Sequence, residues 1–360
     1  MSRPPAVTEQ RLEQLCEALR GKRRLLILTH DNPDPDAIAA GWGLMRVVRR
    51  VHPMKVDLAY GGIIGRGENR TLREVLRIPL RPFEELSVPA TLPEQRAVAL
   101  VDCQPRTGNN SLPPGIRPTI VIDHHPLRRQ TREVPFYDVR QEYGSTTAMI
   151  FEYLTASEVR IDRRLATALF YAIKAETQNL GREASRADAR TFLHLFPLVD
   201  NLAISSIENP RVPLSYFAML NRAIAGTTLY GPLAVTLLGP VSTPDALAEF
   251  ADLMIRVEGI RWAVTIGVYR DDILLSVRST LRNANAGRAI QRIVGREGKA
   301  GGHGQMAGGK IAGGAADPSS LAESEALLAE RAIAICKGER PGARLLDRAG
   351  MKDLIGPGGC

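Results

Sequence analysis

Short apolar runs separated by helix-length stretches fill the first half of the chain, and this alternation narrows the fold more than any other feature. The runs are RLLILTH (24–30), KVDLAY (55–60), RAVALVDC (96–103) and TIVIDHH (119–125). Helical periodicity surrounds them. Residues 8–20 place Leu12, Leu15, Cys16 and Leu19 on one face, residues 36–51 stop before His52-Pro53, and residues 69–76 make a short third helix. GSTTAMIFEYLTA (144–156) opens a further helix with Ser145 or Thr146 as N-cap, and two more helical stretches follow it. Such a pattern predicts an α/β fold with a mostly parallel sheet and helices on both faces.

The texture changes at PLVDNLAISSIENPRVP (197–213), which has three prolines and weak periodicity. We expect a linker there. The domains expected are therefore 1–196, a linker at 197–213, a smaller α/β domain over 214–345, and a tail at 346–360. The second domain should hold a strand at LAVTLLGPV, a hairpin turning at Asp271-Asp272, a glycine-dense stretch around residues 298–314 and a closing amphipathic helix. A length of 360 residues suits two domains. No apolar run approaches a membrane span, and the N-terminus lacks an apolar signal-peptide centre, so the expectation is a cytoplasmic protein without membrane association. Cys16, Cys103, Cys336 and Cys360 are scattered with no CxxC, which argues against a disulfide framework or a zinc knuckle. The net charge of +8 suits phosphate-bearing partners without requiring them.

Acidic and imidazole groups fall at strand ends. His30, Asp34 and Asp36 follow the first run, Asp102 follows AVALV, and Asp123, His124 and His125 follow TIVI. In an open parallel sheet, ligands bind where the loops after the carboxyl ends of strands converge. Taken singly, a loop histidine or a turn aspartate is an ordinary residue. Together at three strand ends, these groups would repel one another unless cations sat among them. Carboxylate and imidazole without thiolate favour manganese or magnesium over structural zinc. His52 and His194 read as ordinary helix-end and helix-face residues. There is no G-x-S-x-G, so no serine nucleophile of that type is expected.

THDNPDPDAIAAG (29–41), VDCQP (101–105) and VIDHHP (121–126) resemble the first three motifs of the DHH phosphoesterases. LLSVRS (274–279) and AGGHGQMAGG (300–309) resemble the glycine-histidine motif of their DHHA1 partner domain. The resemblance runs from about residue 22 to about 340. It implies two manganese ions, with magnesium or cobalt as substitutes. His30, Asp34 and Asp102 would hold one ion. Asp36, Asp102, His124 and a fourth-motif acid would hold the other, so Asp102 would bridge. The fourth motif usually reads T-D-T; here KAETQNLG puts Glu176 where Asp is expected, one methylene longer and still able to ligate. Asp123 would orient a neighbouring histidine, and His125 would contact the scissile phosphate or give a proton to the leaving oxygen.

Arg278, Ser279, Gly301, Gly302 and His303 would bind substrate in the second domain, leaving the active site in a cleft between the domains. The match is best to the nanoRNase and pAp-phosphatase branch. That branch implies attack of a metal-bound hydroxide on short RNA or DNA oligonucleotides, on linear dinucleotides such as pGpG or pApA, and on pAp. A homodimer is compatible with this reading. RecJ-type exonucleases share the motifs but carry a further domain, for which this length leaves no room. Exopolyphosphatase or cyclic-dinucleotide phosphodiesterase activity, or nucleotide sensing without hydrolysis, are the alternatives.

Overall fold

Every strand of the first sheet runs the same way. A computed structural model describes residues 6–86, 88–89, 93–315 and 318–346 of the chain. The strands are β1 (Arg24–Leu28), β2 (Lys55–Tyr60), β3 (Leu80–Pro82), β4 (Arg96–Val101), β5 (Ile120–Asp123) and β6 (Phe136–Val139). They form a six-stranded sheet in the order β3-β2-β1-β4-β5-β6, with each neighbouring pair parallel. The chain leaves β1 toward one edge and returns at β4 to build toward the other. The switch point therefore lies between β1 and β4, where an open parallel sheet receives its ligand.

The helices of this half are α1 (Ala6–Ala18), α2 (Pro35–Val51), α3 (Gly67–Val75), α4 (Thr146–Ala156), α5 (Arg163–Glu176), α6 (Arg186–Leu195) and α7 (Asn201–Glu208). Asp34 caps α2 by accepting the Ala37 amide, and Pro35 occupies the first turn, where its missing N–H costs nothing. Alternate residues of β1 divide the core. Leu25 and Ile27 join the helical layer of α1, α2, α4 and α5, while Leu26 and Leu28 face a smaller cluster with Cys103, Ile116 and Val134. That second face is covered by 3-10 turns at Phe83–Glu85 and Arg129–Glu133 and by the segment linking β4 to β5. Prolines at 105, 113, 114 and 118 keep that crossover from becoming a helix. A Cβ on Gly43 would come within 2.5 Å of Ile150, so glycine lets α2 and α4 approach closely beneath the site.

The segment 197–213 differs from the expected linker. It holds α7, whose Ile204 and Ile207 are buried in the first core, and the chain divides into two units between Arg211 and Val212. Its apolar spacing is carried by few residues beside the prolines, which hid the helix. The tail at 347–360 lies outside the described residues.

The second unit opens with α8 (Leu214–Ala225). It then holds β7 (Thr227–Tyr230), β8 (Leu233–Pro240), α9 (Asp245–Met254), β9 (Trp262–Tyr269), β10 (Asp272–Ser279), α10 (Ala286–Val294), β11 (Lys299–His303), β12 (Met306–Ile311), α11 (Pro318–Ile335) and β13 (Ala343–Arg344). Its sheet runs β11-β12-β10-β9-β8-β7-β13, antiparallel except for β8 with β9. Two apolar clusters line its faces, one including Ile290 and Ile293 of α10, the other Leu247 and Phe250 of α9. The glycine-dense stretch is the β11–β12 hairpin. A Cβ on Gly287 of α10 would lie 2.2 Å from the Gly302 carbonyl, so only glycine admits this contact.

Candidate metal centre

The loops after β1, β4 and β5 bring six of the expected residues together at the switch point. Asp102 follows β4 with φ +59°, a left-handed conformation that aspartate tolerates better than most residues. Its carboxylate is buried and shared. His30 Nε2 lies 3.6 Å from Oδ2, while His124 Nε2 lies 3.7 Å and His125 Nδ1 3.8 Å from Oδ1. His30 Nε2 is also 3.7 Å from Asp34 Oδ1. His30, Asp34 and Asp102 form one group whose potential ligand atoms lie within 4.8 Å of one another, and Asp102, His124 and His125 form a second. Asp102 belongs to both.

Two of the histidines are held from behind. His30 Nδ1 lies 3.0 Å from the Asp31 carbonyl and His124 Nδ1 lies 3.2 Å from the Tyr143 carbonyl. Each contact favours Nδ1–H and leaves Nε2 free to ligate. Asp36 is fully buried at the start of α2, and its oxygens accept the amides of Thr147 and Thr146, both at 2.8 Å. Those amides belong to the N-terminus of α4, whose positive end offsets part of the charge. His124 Nε2 lies 4.0 Å from Asp36 Oδ2, so Asp36 stands beside the second group.

The buried acids and imidazoles shift one another's ionisation. Burial, then the charges of Asp36 and Asp34, push Asp102 well above the ordinary carboxylate range. Burial, then Asp34 and Asp36, lift Glu176 to about 8. Burial opposes a charge on His30, but Asp34 and Asp102 outweigh it and raise the imidazole to about 10. Burial and like charge thus oppose ionisation of Asp102 and Glu176, while the neighbouring histidines hold Asp34 and Asp123 below the ordinary carboxylate range. The oxygen and nitrogen donor set suits hard or borderline divalent ions.

Glu176 ends α5 and lies outside both groups of three. Its carboxylate is 3.7 Å from the Arg182 guanidinium, which also donates to the Glu176 carbonyl. Asp123 accepts from His125 Nδ1 at 2.8 Å and from the His125 amide at 3.2 Å. His125 keeps about a third of its side chain exposed, more than His30 or His124. Burial opposes its charge, yet Asp123 and Asp102 raise it to about 10.

In the second unit, Arg278, Gly301 and Gly302 line one pocket of about 380 Å³, together with Ser276, Met306 and Gly308. Arg278 Nε donates to Asp252, and Nη1 reaches Ser276 Oγ and the Val277 carbonyl at 3.0 Å. Ser279 is buried, does not line the pocket, and donates to the Arg261 carbonyl at 3.0 Å. His303 ends β11 opposite Met306, and its side chain lies outside the described residues.

Three supporting residues escape a reading of sequence. Thr146 Oγ1 donates to Asp102 Oδ1 at 2.7 Å. Asp188 accepts from the Gly144 amide and the Ser145 hydroxyl, which anchors the start of α4. Gln104 donates to Asp123 Oδ2 at 2.6 Å. GSTT marks a helix start, but nothing in it says which carboxylate the start will face.

Known proteins resemble this chain in sequence and in fold. Residues 24–173 match the family model described as "DHH family, N-terminal domain". An uncharacterized protein of Methanocaldococcus jannaschii is 33% identical over 336 residues, which is 92% of this chain; the chain spans 65% of that relative's length. The structure of an exopolyphosphatase-related protein from Bacteroides fragilis superimposes with a TM-score of 0.68 at 13% identity, covering 91% of this chain and 98% of that one, a likeness of fold. Exonuclease RecJ bound to manganese is more remote, with a TM-score of 0.44 at 15% identity over 89% of this chain and 94% of that one. Residues 24–173, with their DHH triplet at the end of β5, thus match the N-terminal domain of the DHH family.

Proposed function

We propose that the chain hydrolyses phosphate esters of short oligonucleotides, linear dinucleotides such as pGpG and pApA, or pAp, with two divalent ions. The observation that carries this reading is Asp102, a buried carboxylate common to two groups of ligand-competent side chains. His30, Asp34 and Asp102 would hold one ion. Asp36, Asp102 and His124 would hold the other, with Glu176 as the fourth-motif acid. Paired divalent ions supply an activated water and a clamp for the phosphate oxygens when bound.

The chain's own residues do the rest. Thr146 orients the shared carboxylate, the α4 amides orient Asp36, and the Asp31 and Tyr143 carbonyls turn the two histidines. His125, braced by Asp123, is the group available to the phosphate or to the leaving oxygen. We read the second unit as a DHHA1-type substrate domain, with Arg278 as a fork for a terminal phosphate and the glycine backbone as its close wall. Manganese is the ion we expect, with magnesium or cobalt able to replace it.

The test is a manganese-supported panel of di- to penta-nucleotides, pAp, polyphosphate and cyclic dinucleotides, with products resolved by chromatography. Turnover of the short linear substrates is expected. Release of phosphate from polyphosphate alone would replace the substrate class. Glu176 turned toward Arg182 favours one second reading, nucleotide binding without turnover. Tight binding of pApA with no product would support it.

A further inference from the structure

Gln104 lies two residues beyond the shared aspartate, buried, with every polar atom of its side chain engaged. Its Oε1 accepts the Arg128 amide at 2.8 Å and the Thr131 hydroxyl at 2.7 Å. Its Nε2 donates to Asp123 Oδ2 at 2.6 Å and to the Pro126 carbonyl at 3.2 Å. An amide N–H can only donate, so the Arg128 contact fixes which end of the carboxamide is oxygen. The other end must then face Asp123. Its own main-chain carbonyl accepts from Thr107 and Asn110, so the residue joins the segment after β4 to the segment after β5.

Asp123 is thereby divided. Oδ2 is taken by Gln104, and Oδ1 is left for the His125 ring at 2.8 Å. A carboxylate with one oxygen pinned cannot rotate away from its second partner. We infer that Gln104 is a positioning residue: acting through Asp123, it holds His125 with Nδ1–H on the carboxylate and Nε2 turned to the reacting phosphate. The inference rests on the proposed phosphoester hydrolysis for its kinetic consequence, and on geometry alone for its structural one.

Gln104→Glu is the sharper variant. It keeps an acceptor for Arg128 and Thr131 and replaces the donor that faces Asp123 and the Pro126 carbonyl. Gln104→Met is the second, nearly isosteric and apolar. In the magnesium-loaded protein, proton-detected NMR of nitrogen-15-labelled histidine should show a low-field Nδ1–H for His125 in the wild type, identified by its loss in His125→Ala. The signal should vanish or move upfield in both Gln104 variants while the remaining histidine signals stay. Its persistence would overturn the inference whether or not the protein turns over substrate.

With an active wild type, kcat should fall about 10–100-fold in both variants, with KM and manganese content within twofold. In a His125→Ala background, Gln104→Glu should cost nothing further, because a residue that acts only through His125 has nothing left to position. Losses that add in the double variant, or manganese loss matching the loss of rate, would refute the positioning role. An inactive wild type with the expected NMR result would remove the proposed hydrolysis and leave the positioning intact.

Discussion

Replacing Asp102 by asparagine should reverse its effect on stability according to whether metal is present. The wild type buries Asp102 beside Asp34 and Asp36, with burial and those charges opposing its ionisation. Asparagine has nearly the same shape, keeps an acceptor for the Thr146 hydroxyl, and tolerates the positive φ of this position. What it removes is a carboxyl group whose ionisation the folded site opposes and the unfolded chain does not. In chelator we expect Asp102→Asn to be more stable by about 1–2 kcal/mol, the usual gain when a functional site's strained group is relieved. For a folding unit the size of residues 1–211, 1 kcal/mol shifts Tm by about 2–4 °C.

Metal reverses the sign. Manganese at one hundred times its Kd stabilises the wild type by about 2.7 kcal/mol for each site filled. On the proposed two-ion reading the variant lacks the carboxylate both sites would share, and it should gain little. Thermal unfolding of the two proteins in EDTA and in manganese, monitored by circular dichroism, gives all four values. The variant should melt higher in EDTA and lower in manganese. A variant equally destabilised in both would show that Asp102 is an ordinary structural residue and would refute the reasoning.

Thr146→Val should lower the affinity of the site for the second manganese ion and weaken the exchange-coupled signal of a manganese pair in electron paramagnetic resonance, while Thr146→Ser preserves both; a hydrogen bond to a charged group is worth about 1.5–3 kcal/mol. Glu176→Ala should weaken binding of one ion about tenfold by calorimetry, and a Kd within twofold of wild type would place the fourth ligand elsewhere. Arg278→Ala should raise KM for pApA about tenfold with manganese content unchanged, since its guanidinium lines the second unit's pocket and lies outside the metal groups; metal loss would contradict that division of labour. Arg140 is buried and bonds Asp138 at 2.7 Å and 2.9 Å, Glu152 at 2.7 Å, and Thr8. Arg140→Met should cost about 3–5 kcal/mol in chemical denaturation by stranding two buried carboxylates, and a loss below 1 kcal/mol would refute this.

The parallel sheet was readable because β1, β2, β4 and β5 are apolar runs separated by helical periodicity. β3 and β6 were not, since three or four residues cannot display alternation, and each pairs by completing an edge that earlier strands present. The helix at 201–208 was hidden among prolines, and its burial depends on α3 and α5, which lie far off in sequence. For the site, motif spacing brought His30, Asp34, Asp102, His124 and His125 to one place. The support around them was not legible. Thr146 is read as a helix start whatever carboxylate it faces, and Gln104 carries no signal until β4 and β5 lie side by side. Nor does the motif around Ser279 reveal that its hydroxyl donates to the Arg261 carbonyl.

A crystal grown with manganese tests the proposed bridged pair of ions most directly. Anomalous difference density should show two peaks about 3.5–4 Å apart, joined by the two oxygens of Asp102, with His30 and Asp34 on one and His124 and Asp36 on the other. A single peak, or two peaks that do not share Asp102, would contradict it.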